Sequence, residues 1–273
     1  MRDLRDYRAF ILDLDGVIYR GEQLLPGARE FISWADATGR RLIFLSNNSF
    51  ASPDEVTAKL AHLGAPHPEG RVLTSGAAAA RQIAARHPGG SVFVLGVASV
   101  ERMVEAEGLR AVWREGMDGP PPDALLVGLD FNLSYDRLRR GLRAILAGAD
   151  FIAVNRDPSL PVEDGLNPGT GSIVAALEYA SGRTAEIIGK PAPGMMLEAL
   201  REMGAEANKT LVVGDGLELD IVAGHAAGMD VALVLTGMST RAQAEAAMGQ
   251  TKPDYVFDGI GDLLAALQDD PVA

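Results

Sequence analysis

The chain has 273 residues, with 25 Lys and Arg against 37 Asp and Glu, for a formal net charge of -12. Hydrophobic residues make up 47% and charged residues 23%, which excludes a disordered or collagen-like chain and supplies a core for one large domain or two moderate ones. The acidic surplus argues against sequence-independent binding to nucleic acid or anionic lipid, and the absence of Cys excludes disulfides, thiolate catalysis, zinc-thiolate and iron-sulfur sites.

The start, MRDLRDYRAFILDLDGV, is too charged for a secretory signal. No later run approaches the ~18 apolar residues of a spanning helix, so a soluble cytoplasmic protein without a membrane partner is expected. Short runs rich in Val, Ile, Leu and Phe then recur, predicting strands at 10–14, 41–45, 91–95, 124–127, 151–154, 185–188, 210–213, 231–235 and 255–257. Amphipathic stretches at 28–38, 53–63, 135–147 and 193–203 read as helices between them. This alternation predicts an α/β protein with mainly parallel strands, whose crossovers gather the loops after the strands on one edge. Ligands bind at that edge in such folds.

Four strand ends run into polar residues. Leu12 leads to Asp13 and Asp15, two carboxylates on alternate positions that normally face opposite ways along a strand. A bend after Asp13 brings both to one site and presents the Asp15 carbonyl, and Gly16 permits that bend and exposes N–H groups to an anion. Taken alone, the same pattern also reads as a turn after a strand. Leu45 leads to Ser46 and Asn47, whose hydroxyl and carboxamide suit phosphate oxygens, although taken alone this segment reads first as capping of the helix near Pro53. Ile188 leads to Lys190, which can neutralise a phosphate or a nucleophilic carboxylate or simply lie solvated. Val213 leads to Asp215, with Asp220 beyond it; hard carboxylates suit Mg²⁺, and an acidic helix N-terminus is the bland alternative, to which Glu218 belongs. The four His have no metal-ligand spacing, Gly96 and Gly128 form no dinucleotide fingerprint, and Trp34 and Trp113 read as packing residues.

Together the four segments, in this order and at strand ends, resemble the haloacid dehalogenase (HAD) superfamily. Asp13-Leu14-Asp15-Gly16-Val17, Ser46-Asn47-Asn48-Ser49, Gly189-Lys190-Pro191 and Gly214-Asp215 followed by Asp220-Ile221 resemble its NagD-like, 4-nitrophenylphosphatase branch, subfamily IIA. The resemblance extends through the middle of the chain, where Asn155-Arg156-Asp157 and Pro168-Gly169-Thr170-Gly171-Ser172 are similar to that branch's cap. Gly216 departs from it, since relatives often carry a larger polar residue there.

The resemblance implies a Rossmann-like parallel-sheet core with a large inserted α/β cap, the core formed by 1–77 and 185–273 and the cap by 78–184. It implies a Mg²⁺-dependent phosphatase acting on a small phosphorylated metabolite. Asp13 would be the nucleophile and Asp15 the general acid and base. Asp13, the Asp15 carbonyl and Asp215 would hold the metal. Gly16, Ser46, Asn47 and Lys190 would hold the phosphoryl group, and Asp220 would orient Lys190 or a metal-bound water. The Gly- and Pro-rich segment from Arg156 to Thr170 reads as an irregular loop that selects the leaving group, with Arg156, Glu163 and Asp164 as its polar groups. A homodimer through the cap is an arrangement known among relatives that no feature of this sequence demonstrates. A phosphomutase, a metal-independent dehalogenase and a phosphoacceptor switch are the competing readings.

Overall fold

The computed structural model describes residues 2–48, 50–113, 119–162 and 165–269. The chain forms two compact units, one from Met1–Ser46, Asp54–Leu73 and Lys190–Ala273, the other from Asn47–Pro53 and Thr74–Gly189.

The first unit contains β1 (Ala9–Asp13), a short hairpin of β2 (Tyr19–Arg20) and β3 (Gln23–Leu24), then β4 (Arg41–Ser46) and β5 (Val72–Thr74). The second unit's β6 (Ser91–Leu95), β7 (Arg110–Val112), β8 (Ala124–Val127), β9 (Asp150–Ala153), β10 (Ser159–Val162), β11 (Gly165–Pro168) and β12 (Glu186–Ile187) follow. The chain then returns to the first unit with β13 (Thr210–Gly214), β14 (Asp230–Val234) and β15 (Tyr255–Phe257).

In the first unit six strands form one sheet in the order β15-β14-β13-β1-β4-β5. The pairs β1–β13, β1–β4, β13–β14 and β14–β15 are parallel. A parallel sheet covered on both faces needs apolar residues at every position, not every second one. Phe10, Ile11 and Leu12 of β1 and Leu211, Val212 and Val213 of β13 meet that need, and all six are buried. The helix Ala28–Ala37 covers one face through Phe31, Ile32 and Ala35. Phe31 meets Phe10 edge to face at 5.2 Å, and Trp34 completes the aromatic cluster as a packing residue. The register sets Leu12 opposite Val213 and Asp13 opposite Leu45, so the chain leaves β1, β4 and β13 along one edge.

The second unit has its own five-stranded sheet, ordered β12-β9-β8-β6-β7 and parallel throughout. Leu125, Val127, Ile145, Ile173 and Leu177 lie in its core, formed where the helices Tyr135–Leu146 and Thr170–Ser181 pack on the sheet, and Trp113 packs against that cluster. No helix among the described residues is long and apolar enough to cross a membrane.

Three expectations change. The units divide at 73/74 and 189/190, not at 77/78 and 184/185, and 47–53 groups with the second unit. The strand expected to reopen the core, β12, instead pairs with β9. The segment expected to be an irregular loop is largely an antiparallel hairpin of β10 and β11, with Ser159 opposite Pro168 and Val162 opposite Gly165. Its Pro content reads as loop because Pro donates no ladder bond, but each strand of a two-stranded ribbon is an edge and tolerates it.

One buried ion pair anchors the second unit. Asp130, whose side chain is 2% exposed, accepts from Arg137 Nε at 2.6 Å and from Asn132 N at 2.9 Å, while Arg137 Nη2 donates to the carbonyls of Val94 and Gly96. Removing one partner strands a buried charge. Arg137→Ala should therefore lower the unfolding free energy by about 3–5 kcal/mol in denaturant titration, whereas Asp130→Asn/Arg137→Met should lose much less. A single-variant loss below about 1 kcal/mol would equate this pair with a surface ion pair.

Candidate active site

The site is built at the edge where β1, β4 and β13 end. Asp13 is the last residue of β1, and the chain then turns tightly, with Ile18 N and Tyr19 N donating to the Leu14 carbonyl and Gly16 N to the Tyr19 carbonyl. Gly16 sits at φ +79°, in the left-handed region. A Cβ there would also collide with the Asp215 carboxylate and come 2.9 Å from Gly237 Cα, so conformation and space both demand glycine. The Asp15 side chain is exposed beside this turn.

Lys190 provides the central contact. Its Nζ donates to Asp13 Oδ1 and, at 2.6 Å, to Asp220 Oδ1, and its side chain is only 3% exposed. Asp220 arrives on a π-helical turn, Leu217–Ile221, that follows β13. Its other oxygen accepts from Gly216 N at 3.0 Å. Asp215, just beyond β13, accepts from Met238 N at 2.7 Å through Oδ2, while its carbonyl accepts from Ser239 N. Gly237 lies so close that any Cβ would overlap the Asp215 carboxylate. Ser239 Oγ in turn accepts from Leu217 N and holds the start of the π-helical turn.

One oxygen from each of Asp13, Asp215 and Asp220 lies within 4.8 Å of the others. With Lys190 as the counter-ion in this cluster, three carboxylates face one ammonium, an excess of negative charge. The electrostatics respond accordingly. Burial raises the Asp13 carboxyl well above the ordinary carboxylate range against the pull of Lys190, and Asp220 and Asp215 add to the rise. Asp215 is pushed up to about 6 by burial and by Asp220. Burial alone would lower the Lys190 ammonium, but Asp13 and Asp220 outweigh it and hold it above its ordinary value. Close-set hard oxygens with surplus negative charge are a donor set that could hold a small divalent cation.

The structure thus brings together Asp13, Gly16, Lys190, Asp215 and Asp220, with Ser46 buried at the end of the adjacent β4. Asp220 joins the carboxylate group itself as well as contacting Lys190. Asn47 is instead engaged within the second unit, where its Nδ2 faces Asp157 Oδ2 at 3.5 Å and its carbonyl accepts from Asn155. Arg156 pairs there with Glu178 of the helix Thr170–Ser181, and Glu163 and Asp164 lie outside the described residues. The segment Thr236–Ser239 was missed by reasoning from sequence. Its only signal is a Gly soon after a predicted strand end, which is too common to single out.

Comparison with known proteins accords with this geometry. Residues 10–110 match the family model of haloacid dehalogenase-like hydrolases, and residues 187–263 match a second model described as HAD-hydrolase-like. The chain is 35% identical to the 5'-nucleotidase YutF of Bacillus subtilis, over 94% of this chain and 97% of that one. The 4-nitrophenylphosphatase of Thermotoga maritima superposes with a TM-score of 0.87 at 34% identity, covering 98% of this chain and 100% of the other. The glycerol phosphate phosphatase of Mycobacterium tuberculosis, in a complex with magnesium, superposes with a TM-score of 0.85 at 37% identity, over 98% and 79%. The motifs, the doubly wound sheet and these likenesses agree: the chain belongs to the haloacid dehalogenase superfamily, in its NagD-like, 4-nitrophenylphosphatase branch, and is a phosphoric monoester hydrolase.

Proposed function

We propose that the protein is a Mg²⁺-dependent phosphatase that hydrolyses small phosphate monoesters through an aspartyl-phosphate on Asp13. The observation that carries this reading is the sharing of one buried ammonium, Lys190, between Asp13 and Asp220. A nucleophilic carboxylate must stay ionised where burial opposes it and must be held in line for attack; Lys190 supports both. In the first step an Asp13 oxygen bonds to phosphorus as the ester P–O bond breaks, and Asp15, exposed beside the turn, gives its proton to the departing alkoxide. In the second step Asp15 takes a proton from water as the water oxygen attacks the same phosphorus. Phosphate leaves and the Asp13 carboxylate is regenerated.

Ser46, Lys190 and backbone N–H groups of the turn at Gly16 are assigned to the phosphoryl oxygens, whereas Asn47, expected among them, turns its side-chain amide to Asp157. Lys190 is well suited because it already carries its charge at the nucleophile. Asp13, the Asp15 carbonyl and Asp215 are assigned to Mg²⁺, and the surplus of carboxylates around a single lysine fits a dication. When bound, Mg²⁺ supplies charge that offsets the repulsion between an anionic nucleophile and an anionic substrate. The magnesium complex of the mycobacterial relative supports that choice. Met238 N and Gly237 keep Asp215 in place, and Gly216 N keeps Asp220 in place. The second unit, 74–189 with 47–53, is assigned as the cap that chooses among substrates, including sugar phosphates and nucleoside monophosphates.

Asp13→Asn should reduce turnover of 4-nitrophenyl phosphate by on the order of 10⁴-fold or more, with wild-type circular dichroism, because the charge goes and the shape stays. Comparable turnover at equal folded fraction would remove Asp13 from the nucleophile role. Chelation with EDTA should abolish activity and Mg²⁺ restore it, while Ca²⁺, with its looser coordination, should not. Full activity after exhaustive chelation would overturn the Mg²⁺ requirement. Asp220→Asn should weaken Mg²⁺ activation by about 10- to 100-fold, read as a rightward shift in the Mg²⁺ titration of rate.

A further inference from the structure

The end of β9 carries a buried polar cluster that the mechanism above does not use. Asn155 is 2% exposed, and its Nδ2 donates both to the Asn47 carbonyl at 2.8 Å and to Asp157 Oδ2 at 2.9 Å. The same Asp157 oxygen faces Asn47 Nδ2 at 3.5 Å, and Ser75 Oγ adds bonds to the carbonyls of Asn47 and Asn48. Gly189 is drawn into the group as well: its N donates to the Val154 carbonyl at 2.8 Å, and a Cβ at this position would overlap Asn47 Oδ1. On its far side the cluster reaches the base of the β10–β11 hairpin, where the Asp157 carbonyl accepts from Gly171 N at 2.8 Å. All of these residues belong to one unit.

Asn47 directly follows Ser46, and Gly189 directly precedes Lys190. Both peptide bonds are places where the chain passes from one compact unit to the other. We infer that Asn155 and Asp157 are positioning residues for phosphoryl transfer. Through Asn47 and Gly189 they fix the backbone from which Ser46 and Lys190 project, and they join that backbone to the base of the hairpin. Asn47 then contributes as the clamped residue, with its side-chain amide turned to Asp157. A hydrogen-bond clamp on two connections restrains two reacting groups at once, and a displacement near 1 Å is enough to cost about 100-fold in rate. A purely structural cluster would lower stability and leave turnover of the folded protein unchanged.

The inference rests on the roles proposed for Ser46 and Lys190, and the test separates the two. In the full chain with Mg²⁺ and 4-nitrophenyl phosphate, Asn155→Ala and Asp157→Ala should each lower kcat by about 10- to 100-fold. KM should move by less than about threefold, the pattern of a lost transition-state contact. Asp157→Asn keeps an acceptor oxygen for Asn155 and should restore kcat to within about threefold of wild type. The double alanine variant should be no slower than the worse single one, because the two residues act as a unit. If the alanine variants do not fold, Asn155→Asp, which keeps the shape and removes the donor, should show the same loss in kcat. Alanine or Asn155→Asp variants within about twofold of wild type at equal folded fraction, strictly additive losses, or an Asp157→Asn variant as slow as Asp157→Ala would overturn the inference. An inactive wild type would instead overturn the phosphatase reading on which it rests.

Discussion

Lys190 is buried, and its ammonium group lies between Asp13 and Asp220 with Asp215 close by; the rest of the first unit is arranged so that this charge cluster can exist. Removing a carboxylate or an ammonium from water costs several kcal/mol even after relaxation, so each must find partners within hydrogen-bond reach. Asp220 finds Lys190 and Gly216 N, and Asp215 finds Met238 N. Those partners come from separate stretches of chain, and only a parallel sheet with several strands ending along one edge delivers them together. Burial along β1 and β13 makes that edge rigid, because neither strand can slip its register without moving a continuous apolar run.

The same constraint accounts for the glycines that line the cluster. At Gly16 the turn after β1 passes through the left-handed region against the Asp215 carboxylate, and at Gly237 the chain passes so close that no Cβ fits. These close approaches let backbone take the place of side chains around the carboxylates. The result is a compact anionic pocket wall with one fixed cation, poised electrostatically for further positive charge. Burial first, and that surplus second, raise Asp13 and Asp215 above the ordinary carboxylate range.

The second unit solves a different problem. Its buried Asp130 is paired with Arg137, whose Nη2 also donates to strand-end carbonyls, which suits a scaffold. Its sheet draws in β12, and the unit also takes in Asn47–Pro53 and Gly189 at its connections to the first unit. The polar cluster at the end of β9 is therefore built from groups that precede and follow residues of the other unit in sequence.

The alternation of apolar runs and amphipathic stretches was enough to read the α/β class from the sequence, because a buried parallel strand needs a continuous apolar run and each crossover a helix. Asp13, Lys190 and Asp215 were expected at strand ends for a related reason, each standing at or just past such a run, and their shared roles came from the resemblance of the four segments together to one family. Ser46 was expected on the same ground, though taken alone its segment read first as a helix cap. Tertiary structure alone decided that Asp220 joins Asp13 and Asp215, because a π-helical turn, not its spacing in sequence, sets where its carboxylate points. It also decided that Gly237 and Met238 close around Asp215, that Asn47 is bound to Asn155 and Asp157, and that β12 pairs with β9. Each of these is a contact between residues far apart in the chain, and no local pattern encodes which of several equally polar or apolar segments will meet.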